Sequence, residues 1–148
     1  IILAFVALIA RVNGLIGWVG GWFGFSNLSL QTIWGYIFAP VAAIIGVPWG
    51  ESVIAGSLIG QKIILNEFVA FTSMSPLLPE LSAKTTAIVT FALCGFANIS
   101  SIAILIGGIG GMAPNRKHDI ARLGWKAVLG GTLANLLSAT IAGLLLTI

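Results

Sequence analysis

Residues 85–115 carry no charged side chain, yet a knot of polar and helix-breaking residues, CGFANISSIAI (94–104), sits in their middle. At a rise of ~1.5 Å per residue, roughly 31 residues would reach ~46 Å as one helix. The hydrocarbon core of a bilayer is only ~30 Å thick. The segment is therefore strongly tilted or broken, and Gly95, Phe96, Ala97 and Asn98 fall near its midpoint. Non-helical backbone at that depth is tolerated only where it is buried in protein or lines a cavity. Polar groups on broken helices near the midplane are what a solute carrier needs.

Composition supports the membrane reading. Hydrophobic residues make up 58% of the chain and charged residues 7%, against about 25% charged in soluble domains. The apolar runs are continuous rather than alternating, which favours helices over a barrel. The net charge of +3 gives no reason to expect nucleic acid as a partner. Much of the positive charge falls on Arg116, Lys117, Arg122 and Lys126, beside His118. That cluster reads as a cytoplasmic loop, with a lipid-headgroup patch as the alternative. Cys94 is the single cysteine and is expected to be a small buried packing residue. Ile1 already stands inside an apolar run, so the chain is expected to be the C-terminal portion of a longer membrane protein.

The chain divides into six segments. Residues 1–27 form a spanning helix, interrupted by Arg11, and an aromatic turn with Trp18, Trp22, Phe23 and Phe25. Arg11 either snorkels, meets a partner elsewhere or touches substrate. Residues 28–49 suggest an interfacial helix kinked at Pro40, with a plain span as competitor. Residues 50–80 have apolar flanks around a polar centre, GQKIILNEF. Each flank is too short to cross a bilayer but long enough to reach the middle and return. A re-entrant helical hairpin with its tip at Asn66 and Glu67 resolves this. Residues 81–114 are the broken helix, 115–126 the basic cytoplasmic loop, and 127–148 a last spanning helix. Along that last helix Gly130, Gly131, Ala134, Ser138 and Ala142 suggest close packing. The fold class is thus an all-α membrane protein: spanning helices, a re-entrant hairpin and a broken helix.

Glu67 is the sharpest functional candidate, because an ionisable residue at membrane depth is rarely idle. As a carboxylate it accepts hydrogen bonds from hydroxyl or amine groups. Its structural alternative is a pair with Lys62, which is five residues away and poorly placed for one helix face. Asn98 and Ser101 share a face if helical. They either bind solute or satisfy carbonyls freed by the break. Phe96 offers a flat face to a ring or simply packs. Ser100 is expected to face the bundle, and Thr85, Thr86 and Thr90 to bond between helices. No catalytic pair accompanies Glu67, so an enzyme is not expected. His118 stands alone, so no metal site is expected. Glycines 107, 108, 110 and 111 follow no strand and carry no Walker lysine, and read as packing.

At these residues the chain resembles a known family. VPWGESVIAGSLIGQKIILNEFVAF and FALCGFANISSIAILIGGIGGMAPNRKHDIARLGWKAVLGGTLANLLSATIAG are similar to the C-terminal half of the concentrative nucleoside transporters, over 13–148. The resemblance implies half of an inverted-repeat transporter, with a stationary scaffold (here 1–27) and a mobile transport part. It implies a homotrimer in the inner (plasma) membrane that takes up nucleosides with sodium or protons as coupling ion. It implies that Glu67, Phe96, Asn98 and Ser101 contact the nucleoside, chiefly its ribose. The residues that read the base and hold sodium lie on the first repeat, so base preference and coupling ion do not carry over. Arg11 departs from the family pattern. A passive channel or another membrane solute carrier is the alternative function.

Overall fold

The computed structural model describes residues 2–22, 24 and 28–146, and the side chains of residues 2–6 are outside that description. Every regular element described is helical, as the sequence leads one to expect. The helices are α1 (Ile2–Trp22), α2 (Leu30–Ile44), α3 (Ser52–Ile64), α4 (Glu67–Met74), α5 (Ala83–Leu93), α6 (Ile99–Met112) and α7 (Lys117–Leu145). Short 3₁₀ turns at Trp49–Glu51, Ser75–Glu80 and Pro114–Arg116 join them. Phe23 and Phe25 of the expected aromatic turn lie outside the described residues. Trp18 and Trp22 stack loosely, ring centroids 5.0 Å apart, and both are exposed.

Helix starts are written in the sequence as side chains that accept from otherwise orphaned backbone N–H groups. Ser29 accepts from Thr32 N, Asn66 from Val69 N, Ser82 from Thr85 N and Asn98 from Ser101 N. Helix α2 runs through Pro40 and packs its flank on α3. Small residues bring the two backbones together. A Cβ at Gly56 would stand 2.6 Å from the Ala39 nitrogen and 2.7 Å from the Gly35 carbonyl oxygen. Any larger residue there would push the pair apart.

Helices α3 and α4 pack against each other across a tight turn at Leu65 and Asn66. The outer ends of the unit are tied as well: the Glu51 carboxylate accepts from Ser82 N at 3.1 Å and from the Ser82 hydroxyl at 3.0 Å. The start of α3 is thus fastened to the cap of α5. The Thr85 hydroxyl, then the Ser82 N–H and hydroxyl, hold the Glu51 carboxyl below its ordinary value, against an opposing effect of burial. The core between these elements is apolar and fully enclosed at Ala42, Ala55, Leu58, Ile88, Leu93 and Ala139.

Helices α5 and α6 are the two halves of the interrupted segment, with 94–98 between them. The last turn of α5 tightens as Cys94 N bonds to the Thr90 and Phe91 carbonyls, and Gly95 N to that of Leu93. Helix α7 lies antiparallel along both halves. Gly124 faces Ile102, Gly131 faces Ala97 and Gly143 faces Ile88. Among the described residues, Pro114–Leu145 is the one helical stretch long and apolar enough to cross a membrane by itself. Leu30–Ile44, Ala83–Leu93 and Ile99–Met112 are apolar but shorter, consistent with one span cut in two between 93 and 99.

Four expectations need correction. Cys94 is exposed rather than packed, because α5 ends there and its side chain leaves the helix bundle. The basic segment 115–126 is helical from Lys117, with Asp119 in the first turn, where an acidic side chain suits the helix dipole, paired with Arg116 at 3.3 Å and Arg122 at 3.9 Å. Of the two glycines singled out on α7, Gly131 is pressed within this chain, by Ala97 of the break. Gly130, Ala134 and Ser138 are exposed, and the packed stripe is Gly124, Gly131, Ala139 and Gly143. Thr90 bonds within its own helix, to the Thr86 carbonyl.

Candidate functional site

The tip of the α3–α4 turn meets the break between α5 and α6. Glu67 is the first residue of α4 and Asn98 caps α6, so both side chains stand at helix N-termini. A negative charge is favoured there by about 0.3–1 kcal/mol. Asn98 Nδ2 donates to Glu67 Oε2 at 3.1 Å. The other Glu67 oxygen has no hydrogen-bond partner among the described residues, and the residue is half-buried.

Asn98 itself is only 2% exposed, and its carbonyl oxygen is heavily used. It accepts from Ser101 N at 2.8 Å, and the hydroxyls of Ser100 and Ser101 lie 2.7 and 2.9 Å away. Each hydroxyl also reaches a backbone carbonyl: Ser100 that of Leu65 at 2.8 Å, Ser101 that of Phe96 at 2.8 Å. Each has one proton, so each serves one acceptor at a time. These contacts orient the amide: the oxygen caps α6, and the nitrogen points at the carboxylate with one N–H left to donate.

Three of the four residues named from the sequence therefore form one network: Glu67, Asn98 and Ser101. Phe96 is not part of it through its ring, which is 80% exposed beside the break. Ser100 faces its neighbouring elements, and it stitches the break to the turn through the Leu65 carbonyl. Nothing in its local sequence distinguishes it from Ser101. Asn135 on α7 also went unnoticed. Its amide fills the space where Gly95 lacks a side chain, and a Cβ at Gly95 would overlap it. The expected alternative for Glu67, a direct pair with Lys62, is absent: the two ion pairs of the described residues both involve Asp119.

A separate cavity of about 220 Å³ lies among α1, α2, α3 and α4, lined by Gln31, Gln61, Phe68, Thr72 and Ser73 among others. It holds none of the four residues. The Glu67–Asn98 network lies apart from it, with Asn98 enclosed and Glu67 half-buried. No group of three or more His, Cys, Asp or Glu able to hold a metal occurs among the described residues.

Comparison with known proteins places this geometry in context. Residues 1–143 match the family described as "Na+ dependent nucleoside transporter C-terminus". An uncharacterized transporter of Bacillus subtilis, YutK, is 61% identical over 143 residues, covering 97% of this chain and 35% of that protein. The nucleoside permease NupC of Helicobacter pylori is 53% identical, and human solute carrier family 28 member 3 is 40% identical. Among solved structures, CNTnw in an inward-facing substrate-bound state aligns with a TM-score of 0.91 at 61% identity, over 97% of this chain and 36% of that one. The chain spans about a third of the length of the bacterial relatives named here and 23% of the human one. The chain belongs to the concentrative nucleoside transporter family, a family of transporters and not of enzymes, and corresponds to the C-terminal segment that the family description names.

Proposed function

We propose that this chain is the ribose-binding half of a cation-coupled nucleoside transporter of the cytoplasmic membrane. The observation that carries the reading is the 3.1 Å bond from Asn98 to Glu67, which joins two interrupted backbone elements at their helix N-termini. Residues 50–80 act as a re-entrant hairpin and 81–114 as a broken span, whose halves would each stop near the bilayer midplane. The remaining segments keep the roles that the sequence suggests: a scaffold span over 1–27, an interfacial helix over 28–49 and a last span ending at 148. The parent protein is a homotrimer in which the hairpin and broken helix move against that scaffold.

The chemistry suits ribose. The free oxygen of Glu67 accepts from a sugar hydroxyl, and the remaining N–H of Asn98 donates to a hydroxyl oxygen. With its proton on the Phe96 carbonyl, the Ser101 hydroxyl oxygen can still accept from a ligand hydroxyl. The exposed ring of Phe96 supplies an apolar face beside the sugar. A ligand lacking a hydroxyl leaves such buried groups unpaired, at about 1–3 kcal/mol each. Sodium or protons drive uptake, with the ion held by groups outside this chain.

The test is uptake by the full-length protein in proteoliposomes. With an inward sodium or proton gradient the wild type concentrates nucleoside above the external level, and Glu67→Gln inserts normally but loses that uptake. Undiminished uptake by the variant would remove Glu67 from the site. Accumulation that persists without any gradient would remove the coupling.

A further inference from the structure

Lys62 is the bulkiest fully enclosed side chain of the described residues, at 1% exposure. It stands in the last turn of α3, just before the turn that leads to Glu67. Its ammonium carries three donors, and among the described residues Nζ makes no hydrogen bond. The unpaired carbonyls at the end of α3 do not receive it either; the Gln61 carbonyl takes Leu65 N at 2.8 Å. An enclosed charge without compensation is strongly unfavourable. An ordinary packing residue at this position would be Leu or Met. Glu67 is the nearest acidic residue along the chain, across the turn at Leu65 and Asn66 and beyond direct ion-pair distance, while Glu51 is tied to Ser82 and Asp119 to Arg116 and Arg122. This chain's own residues surround Nζ, so the compensation arises within the hairpin and not from a neighbouring part of the transporter.

We propose that Lys62 is a positioning residue of the nucleoside site: its enclosed ammonium is the counter-charge that holds the Glu67 carboxylate at the hairpin tip. The inference rests on the reading of Glu67 as a ribose-binding group. Two forces then act on that carboxylate. Asn98 bonds one oxygen from the broken helix. Lys62 attracts the whole group through a low-dielectric interior, where charges act over longer range than in water. Lys62 does not touch the ligand and leaves the second Glu67 oxygen free for it.

The experiment is a double-mutant cycle on the detergent-purified full-length transporter, reading the nucleoside dissociation constant by calorimetry. Lys62→Met keeps the volume and removes the charge. It weakens binding by about tenfold or more, and Glu67→Gln weakens it also. Adding Lys62→Met to Glu67→Gln costs less than about threefold further, because the group on which Lys62 acts is already neutral. Wild-type affinity in Lys62→Met overturns the proposal. So does an equal loss from Lys62→Met in both backgrounds, which marks a structural role. Unchanged affinity in Glu67→Gln overturns the underlying reading of the site instead. If Lys62→Met is not monodisperse by size exclusion, the double variant, which removes both charges, regains monodispersity. A double variant that stays misfolded overturns the proposal.

Discussion

Asn98 does two jobs that substitution can separate. Its oxygen caps α6 by accepting from Ser101 N at 2.8 Å, and its nitrogen donates to Glu67 at 3.1 Å. Serine is as good a cap as asparagine, whereas alanine costs about 0.5–2 kcal/mol at such a position. Serine is too short to keep the bond to the carboxylate. The hydroxyls of Ser100 and Ser101 retain the Leu65 and Phe96 carbonyls, so neither is stranded by the change. Both variants lose the bond to Glu67, so Asn98→Ser is expected to melt above Asn98→Ala by the cost of a cap. Both also lose the remaining N–H that Asn98 would donate to a ligand hydroxyl, about 0.5–1.5 kcal/mol. That corresponds to nucleoside affinity reduced by roughly 2- to 13-fold. Thermal melts and calorimetry on the full-length protein measure the two quantities separately. The reasoning fails if Asn98→Ser binds nucleoside like the wild type, or if it is destabilised as much as Asn98→Ala.

Two further consequences concern the frame around the site. Gly95→Ala places a Cβ on the Asn135 amide and is expected to lower stability by about 1–3 kcal/mol through overpacking. Gly95→Ala/Asn135→Ala recovers most of the loss in a thermal melt, and no recovery would contradict the contact. The Glu51 carboxyl is held low by Thr85 and then by Ser82, so its stabilising effect is complete above the ordinary value of 4.5. That effect disappears as pH falls through the lowered value of the folded state. Glu51→Gln is thus expected to flatten the acid side of the melting profile between 4.5 and that lowered value. A variant whose melting temperature falls with acid as steeply as the wild type would refute the assignment.

Much of this architecture is legible in the residues because membrane depth makes polarity conspicuous. Glu67 with Asn66, and Asn98 with Gly95, are polar or breaker residues inside apolar runs, and only an interruption of the helix accommodates them. Both interruptions restart with an asparagine cap, NEFV and NISS, so the same local signal marks each N-terminus. What is less legible depends on rotation and packing between helices. The face α7 presents is set where Asn135 meets Gly95, and a run rich in small residues all round does not reveal that phase. The exposure of Cys94 follows from where α5 stops, within a residue or two of where it could have continued. Ser100 and Ser101 are chemically alike, and only the position of the Leu65 carbonyl tells them apart. The isolation of Lys62 requires knowing what surrounds it, since a lysine five residues from a glutamate leaves a structural pair open.

The most direct test compares a ribonucleoside with its analogue lacking both ribose hydroxyls, in the full-length wild type and in Glu67→Gln. The account predicts that the wild type prefers the ribonucleoside by at least about tenfold in dissociation constant, as expected when a buried acceptor loses its donor. It predicts that Glu67→Gln loses most of this preference while still binding both ligands weakly. A variant that discriminates between the two ligands as sharply as the wild type would show that the sugar is read elsewhere.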